Sequence, residues 1–130
     1  MEKPKVSICF HTEKTEECKS FYMQYFDAKI TFDCGWYIDL TFCNTSLQFM
    51  TPQQGQETFN GKGITLNIKT DNVDSEYERL IKLGINIYSP IENHPWGDRS
   101  FSVRDPLGNE LCLYREAPPS DEFKGAYVES

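Results

Sequence analysis

The sequence predicts an α+β fold: two β-α-β-β-β modules forming curved mixed sheets around a cavity, with helices on the outside. Two observations carry this. The order of strand, helix and three short strands can be read twice along 130 residues. The halves also correspond residue by residue: "SLQFMTP" (46–52) lines up with "ELCLYREAP" (110–118), setting Gln48 against Cys112, while Ser7 and Cys9 fall against Thr65 and Asn67. Few folds repeat that order inside so short a chain.

Residues 6–11 open with alternation, Val6, Ile8 and Phe10 on one face. Cys18, Phe21, Tyr22 and Tyr25 then recur at helical spacing over 15–26, with Thr15 as N-cap and Glu16 and Glu17 in the first turn. Three short strands fit 28–33, 36–42 and 46–50. Residues 51–62, with three Gln, two Gly and a Pro, read as a linker between modules at about 5–50 and 63–116. In the second module 64–69 alternate, and Val73, Tyr77, Leu80 and Ile81 mark a helix that Gly84 ends. Strands follow at 85–91, 99–104 and 110–115, with a longer loop over 92–98 that should leave His94 exposed. Asp105-Pro106-Leu107-Gly108-Asn109 supplies turn chemistry between the last two strands. Residues 1–116 are thus expected to be one domain. The tail, 117–130, has two prolines and no period; it is either frayed or a strap across a partner surface.

Composition narrows the function. A net charge of −7, from 20 acidic and 13 basic side chains, argues against nucleic acid, which needs a basic face. No apolar run approaches a membrane span and no signal-peptide core opens the chain, so no membrane partner is expected. The five cysteines are odd in number and lack C-x-x-C spacing, which predicts reduced thiols and a cytoplasmic protein.

Each helix must bury an apolar stripe against the apolar strand faces: Val6, Ile8, Phe10, Leu47, Phe49, Ile64, Leu66, Ile68, Leu111 and Leu113. Trp36 joins Ile38, Leu40 and Phe42 as core. The opposite faces carry Cys9, His11, Tyr37, Asp39, Gln48, Asn67, Cys112 and Tyr114 as candidate ligand-binding residues. They line either an aromatic-walled trough or a half-solvated sheet face, and the residues alone leave both open. Cys112 could serve as a nucleophile only beside a base such as His11 or Lys69, and nothing in the spacing establishes that pair. Arg99 is expected to anchor Asp105, Glu110 or a chain terminus, or else to bind ligand.

Three stretches, "SFYMQYF" (20–26), "LNIKTDNVDSEYERLIKLGI" (66–85) and "PWGDRSFSVRDPLGNELCLYRE" (95–116), resemble the vicinal oxygen chelate superfamily of glyoxalases, bleomycin-resistance proteins and dioxygenases. The Pro-Trp-Gly-x-Arg-x-Phe run into Asp-Pro-x-Gly-Asn is especially similar to the bleomycin-resistance-like branch. The resemblance implies a homodimer with sites near the subunit interface, and it adds Trp96 as a ring that stacks on a planar ligand. The superfamily's metalloenzymes hold a divalent ion with His and Glu. Those positions fall here on Ser7, Thr65 and Cys112, so no metal, no cofactor and no catalytic residue is expected. The implied function is metal-free sequestration of a small, partly aromatic ligand, for which a cationic antibiotic suits the acidic chain. The alternative is a metal-dependent lyase, isomerase or dioxygenase with atypical ligands. A third reading is a fold that has lost its site and works through protein contacts.

Overall fold

A computed structural model describes residues 3–128. Eight strands and three helices follow the order β1 (Ile8–His11), α1 (Thr15–Phe26), β2 (Lys29–Asp33), β3 (Tyr37–Phe42), β4 (Thr45–Met50), β5 (Thr65–Lys69), α2 (Val73–Lys82), β6 (Ile87–His94), β7 (Asp98–Arg104), β8 (Glu110–Glu116) and α3 (Asp121–Lys124). They make two open four-stranded sheets, β1-β4-β3-β2 and β5-β8-β7-β6, each with one parallel pair at its β1–β4 or β5–β8 edge. The α+β reading and the doubled β-α-β-β-β order both hold. By contacts the chain divides into two units. One runs to Gly63 and takes in Asp105–Gly108; the other comprises Ile64–Arg104 and the chain from Asn109. No helix among the described residues is long and apolar enough to cross a membrane.

In the first unit, period-two alternation decides which sheet face is dry. Phe10, Leu47, Phe49, Ile38, Leu40 and Phe42 are all buried. Helix α1 lies over β3 and β4, where the Tyr22 ring meets Phe42 edge-on at 5.0 Å and stacks on Phe49 at 5.7 Å. The Tyr22 hydroxyl donates to Asp105 Oδ2 at 2.7 Å. Three expectations are corrected here. Lys14, not Thr15, is the N-cap residue of α1; Thr12 Oγ1 accepts from Lys14 N, and the Thr15 hydroxyl donates to the Gly35 carbonyl. Trp36 is 51% exposed, because it stands on the turn before β3 and never joins the strand's alternation. Val6 and Ile8 are also exposed, since α1 covers β3 and β4 and leaves the start of the edge strand bare.

In the second unit, Val73 and Leu80 of α2 are buried with Phe101, Val103, Leu111 and Leu113, and Tyr77 meets Phe101 edge-on at 4.8 Å. Ile64, Leu66 and Ile68, expected under the helix, are only half-buried, for α2 contacts β6, β7 and β8. Asn72 caps α2 by accepting from Ser75 N at 3.1 Å, with Asp74 and Glu76 in the first turn. At the other end Gly84, at φ 89°, allows Ile85 N to reach the Leu80 carbonyl. Arg99 pairs with Asp74 at 2.8 Å and donates to Asn93 rather than to the expected Asp105 or Glu110, and the chain termini, its other expected anchor, lie outside the described residues. The loop expected over 92–98 shrinks to a turn, because β6 continues to His94 and β7 starts at Asp98.

The tail is a strap, but across a turn of its own unit. Three successive carbonyls accept from it: Gly97 from Ala117 N at 2.9 Å, Pro95 from Ser120 N at 2.8 Å, and Trp96 from the Tyr127 hydroxyl. Gly97 sits at φ 117°, and a Cβ there would run into the Tyr127 hydroxyl. Gly97→Ala is therefore expected to cost about 2 kcal/mol in backbone strain. It should also release the strap, seen as faster amide exchange over 117–128 with helix α2 unchanged; unchanged exchange in the tail would refute the contact.

Candidate functional site

Register builds the site. In the first unit Cys9 of β1 pairs with Gln48 of β4, which pairs with Asp39 of β3. The next row on the same face is His11, Met50 and Tyr37. Five of the nine expected residues (Cys9, His11, Tyr37, Asp39, Gln48) therefore share one face of one sheet. Gln48 is buried and donates from Nε2 to Asp39 Oδ1 at 3.4 Å. Burial pushes the Cys9 thiol above its ordinary value and the Asp39 charge adds to it. Tyr37 is raised by burial, then by Cys9 and Asp39. At the other end of the face lies a hollow of about 520 Å³, lined by Lys5, Val6, Ser7, Thr41, Asn44, Thr45 and Ser46.

Phe32 is a member of this face that sequence reasoning missed. Plain alternation puts Ile30 and Phe32 on the same side of their strand. A bulge between them pairs Ile30 with Leu40 but Phe32 with Asp39, so the two side chains leave on opposite faces. The Phe32 ring then meets Tyr37 edge-on at 5.9 Å, and Trp36 approaches Tyr37 from the turn at 6.2 Å. No glycine or proline marks the bulge in the sequence.

In the second unit the equivalent row is Asn67, Cys112, Ser102 and Ser89, followed by Lys69, Tyr114, Ser100 and Glu92. Asn67, Cys112 and Tyr114 share this face. Burial raises the Cys112 thiol, a hydrogen bond with Ser100 works against that, and the charges of Asp98 and Glu110 add to the rise. The sulfur is thus held as a thiol rather than a nucleophilic thiolate. Ser102 Oγ is buried and meets no hydrogen-bond partner among the described residues. Trp96, the ninth expected residue, stacks on His94 with centroids 4.5 Å apart and planes 5° from parallel. His94 is not exposed as expected. Its Nδ1 lies 2.8 Å from Asp98 Oδ1 and 3.1 Å from Ser100 Oγ, and its Nε2 lies 3.2 Å from Glu92 Oε1. Trp96 Nε1 donates to Asp98 Oδ2 at 2.9 Å, which fixes the indole over the imidazole. The i, i+2, i+6 spacing of Glu92, His94 and Asp98 around a tight turn was the available signal.

A family model for the glyoxalase-like domain matches residues 6–113. The chain belongs to that family. A glyoxalase/bleomycin resistance protein/dioxygenase from Nocardioides has a similar structure, with TM-score 0.76 and 20% identity over 90% of this chain and 86% of that one. A lactoylglutathione lyase from Agrobacterium tumefaciens gives 0.71 at 18% identity, over 88% and 95%. A bleomycin-binding protein complexed with bleomycin gives 0.66 at 18%, over 88% and 99%. At these identities the likeness is one of fold. An uncharacterised protein of Mycobacterium bovis is 30% identical over 64 residues, 49% of this chain, and the match spans only 40% of that relative's length.

The metal of glyoxalase-type enzymes does not fit this glyoxalase-like chain. Ser7 and Thr65 offer neutral hydroxyls and Cys112 a protonated thiol, a poor donor set for a hard divalent ion. Among the described residues no group of three or more His, Cys, Asp and Glu side chains is arranged to hold an ion.

Proposed function

We propose that this protein binds a small, partly aromatic ligand without metal and without chemical change, and confers resistance by sequestering an antibiotic. The observation that supports it most is the polar face of the first unit. A row of Cys9, Gln48 and Asp39 is flanked by Tyr37 and Phe32, the mix of aromatic walls and a few placed polar groups that suits small-molecule binding. The donor set at the metal positions supports the metal-free part. The proposal includes a homodimer and a cytoplasmic setting, the latter supported by an odd number of cysteines without C-x-x-C spacing.

Bleomycin, the ligand of one structural neighbour, is the first antibiotic to titrate. The expected result is a saturable rise in melting temperature, with the compound recovered unchanged by mass spectrometry, and elution as a dimer in size exclusion. Divalent-ion-dependent conversion of a supplied substrate would overturn the reading in favour of an enzyme.

A further inference from the structure

We infer that Asp39 is the recognition point for a positively charged organic group, a substituted ammonium, with Tyr37 and Phe32 as the walls of its seat. The inference rests on the binding reading above and specifies the ligand's chemistry at the first unit's face.

Three observations carry it. The Asp39 carboxylate is half-buried on the second strand from the edge, and its charge reaches both Cys9 and Tyr37. Its hydrogen-bond partner is the neutral Gln48 amide at 3.4 Å, and the ion pairs of this unit go elsewhere: Lys19 to Glu16 and Asp33, Lys29 to Asp27. Among the described residues no Lys or Arg nitrogen lies within 4.0 Å of Asp39. Finally, the bulge places Phe32 directly opposite Asp39, with Tyr37 against Phe32 and the exposed Trp36 beyond.

The chemistry of that arrangement selects one ligand class. A single carboxylate with one amide and one thiol beside it cannot supply the several oxygen donors a hard metal ion takes. A neutral aromatic ligand would cover Asp39 and leave a charge desolvated without a partner. An alkylated ammonium is weakly hydrated, spreads its charge over methyl groups, and gains from ring faces within about 6 Å as well as from the carboxylate. Lys5, the base lining this face's hollow, stands at the far end beside Ser7; Lys29, opposite Thr41 on the same face, is paired with Asp27 at 2.9 Å, and His11 lies in the next row beside Met50.

The test is a titration of the full chain by amide NMR with two probes of nearly equal shape, phenyltrimethylammonium and uncharged 2-phenyl-2-propanol. The cation should bind about tenfold more tightly, shifting the amides of Phe32, Tyr37, Asp39 and Gln48. Asp39→Asn should lose about that tenfold while binding the alcohol as before, and Asp39→Glu should retain a preference for the cation. Phe32→Leu should weaken the cation severalfold. Equal affinity for the two probes, or undiminished cation binding by Asp39→Asn, overturns the inference and leaves the binding reading standing. Shifts confined to other faces overturn it too, and saturable bleomycin binding then decides separately whether the protein is a binder. A variant that fails to fold is recognised by its collapsed amide dispersion, and the wild-type comparison of the two probes still decides.

Discussion

Phe49→Ala is expected to remove about 3–5 kcal/mol of stability, a large share of the roughly 5–15 kcal/mol that holds a domain together. Phe49 is fully buried on the central strand β4, stacked between Phe10 at 5.8 Å and Tyr22 at 5.7 Å. Truncation removes the transfer free energy of a benzyl group and leaves a cavity whose walls are themselves rings. Rings relax poorly into a void, because neither Phe10 nor Tyr22 can extend, and Tyr22 is tied to Asp105 by its hydroxyl. In urea the midpoint should fall by about 1.5–2.5 M at an ordinary slope of about 2 kcal/mol per molar. Trp36→Ala is the contrast: a larger side chain, half exposed on a turn, whose loss should change stability by less than about 0.5 kcal/mol. Should the two variants lose similar amounts, the core is not organised around Phe49.

The same periodicity that makes Phe49 core made much of the fold legible. Alternation alone assigns Phe10, Leu47 and Phe49 to the dry face and Cys9, Gln48 and His11 to the other. Aligning the halves by their repeated order sets Cys9 with Asn67 and Gln48 with Cys112, and the two sheets use those positions identically: Cys9 pairs with Gln48, and Asn67 with Cys112. A duplicated module reproduces its register, so sequence reasoning carries the rows as well as the strands.

What escaped has a physical reason in each case. The Phe32 bulge costs one extra residue and no special side chain, so a period-two reading passes straight over it and assigns the ring to the wrong face. Trp36 follows the parity of its strand by number but stands before it, and a side chain on a turn is not bound by the pleat. The His94 cluster depends on β6 and β7 continuing to His94 and Asp98 in register, whereas Pro95 and Gly97 suggest a longer loop. The tail's hold on residues 95–97 is made by backbone groups and one tyrosine hydroxyl, and backbone partners leave no pattern in the side chains that could be read beforehand.

Alkaline pH is expected to unfold this protein by way of α1, with Cys18 alone costing about 4 kcal/mol by pH 12. Cys18 is fully inaccessible on the inner face of that helix. Burial pushes its thiol from 9.0 up to about 12; the charges of Asp105 and Glu17 add to the rise and Lys14 opposes it. Tyr22, one turn along, is raised far above its ordinary value of 10.0 by burial, by the Asp105 charge and by the hydrogen bond it donates there. The sign follows from which state holds the proton. Above pH 9 the unfolded chain gives up the Cys18 proton while the folded chain keeps it. The unfolded state then binds fewer protons, and stability falls by about 1.4 kcal/mol per pH unit. Above pH 10 Tyr22 follows the same course and the slope about doubles. The contribution is intact below pH 9 and is lost progressively up to the folded-state value near 12. Urea unfolding under reducing conditions at pH 8, 9, 10 and 11 measures this directly. Cys9 and Cys112 are raised as well but are partly open to solvent, so the comparison that isolates Cys18 is with Cys18→Ala. That variant should start less stable at pH 8, because it leaves a small cavity, yet lose about one proton's worth of slope between pH 9 and 10. Parallel curves for the two proteins over that interval would mean that the thiol ionises as readily folded as unfolded, and that the inner face of α1 is wetter than its packing against Phe42 and Phe49 allows.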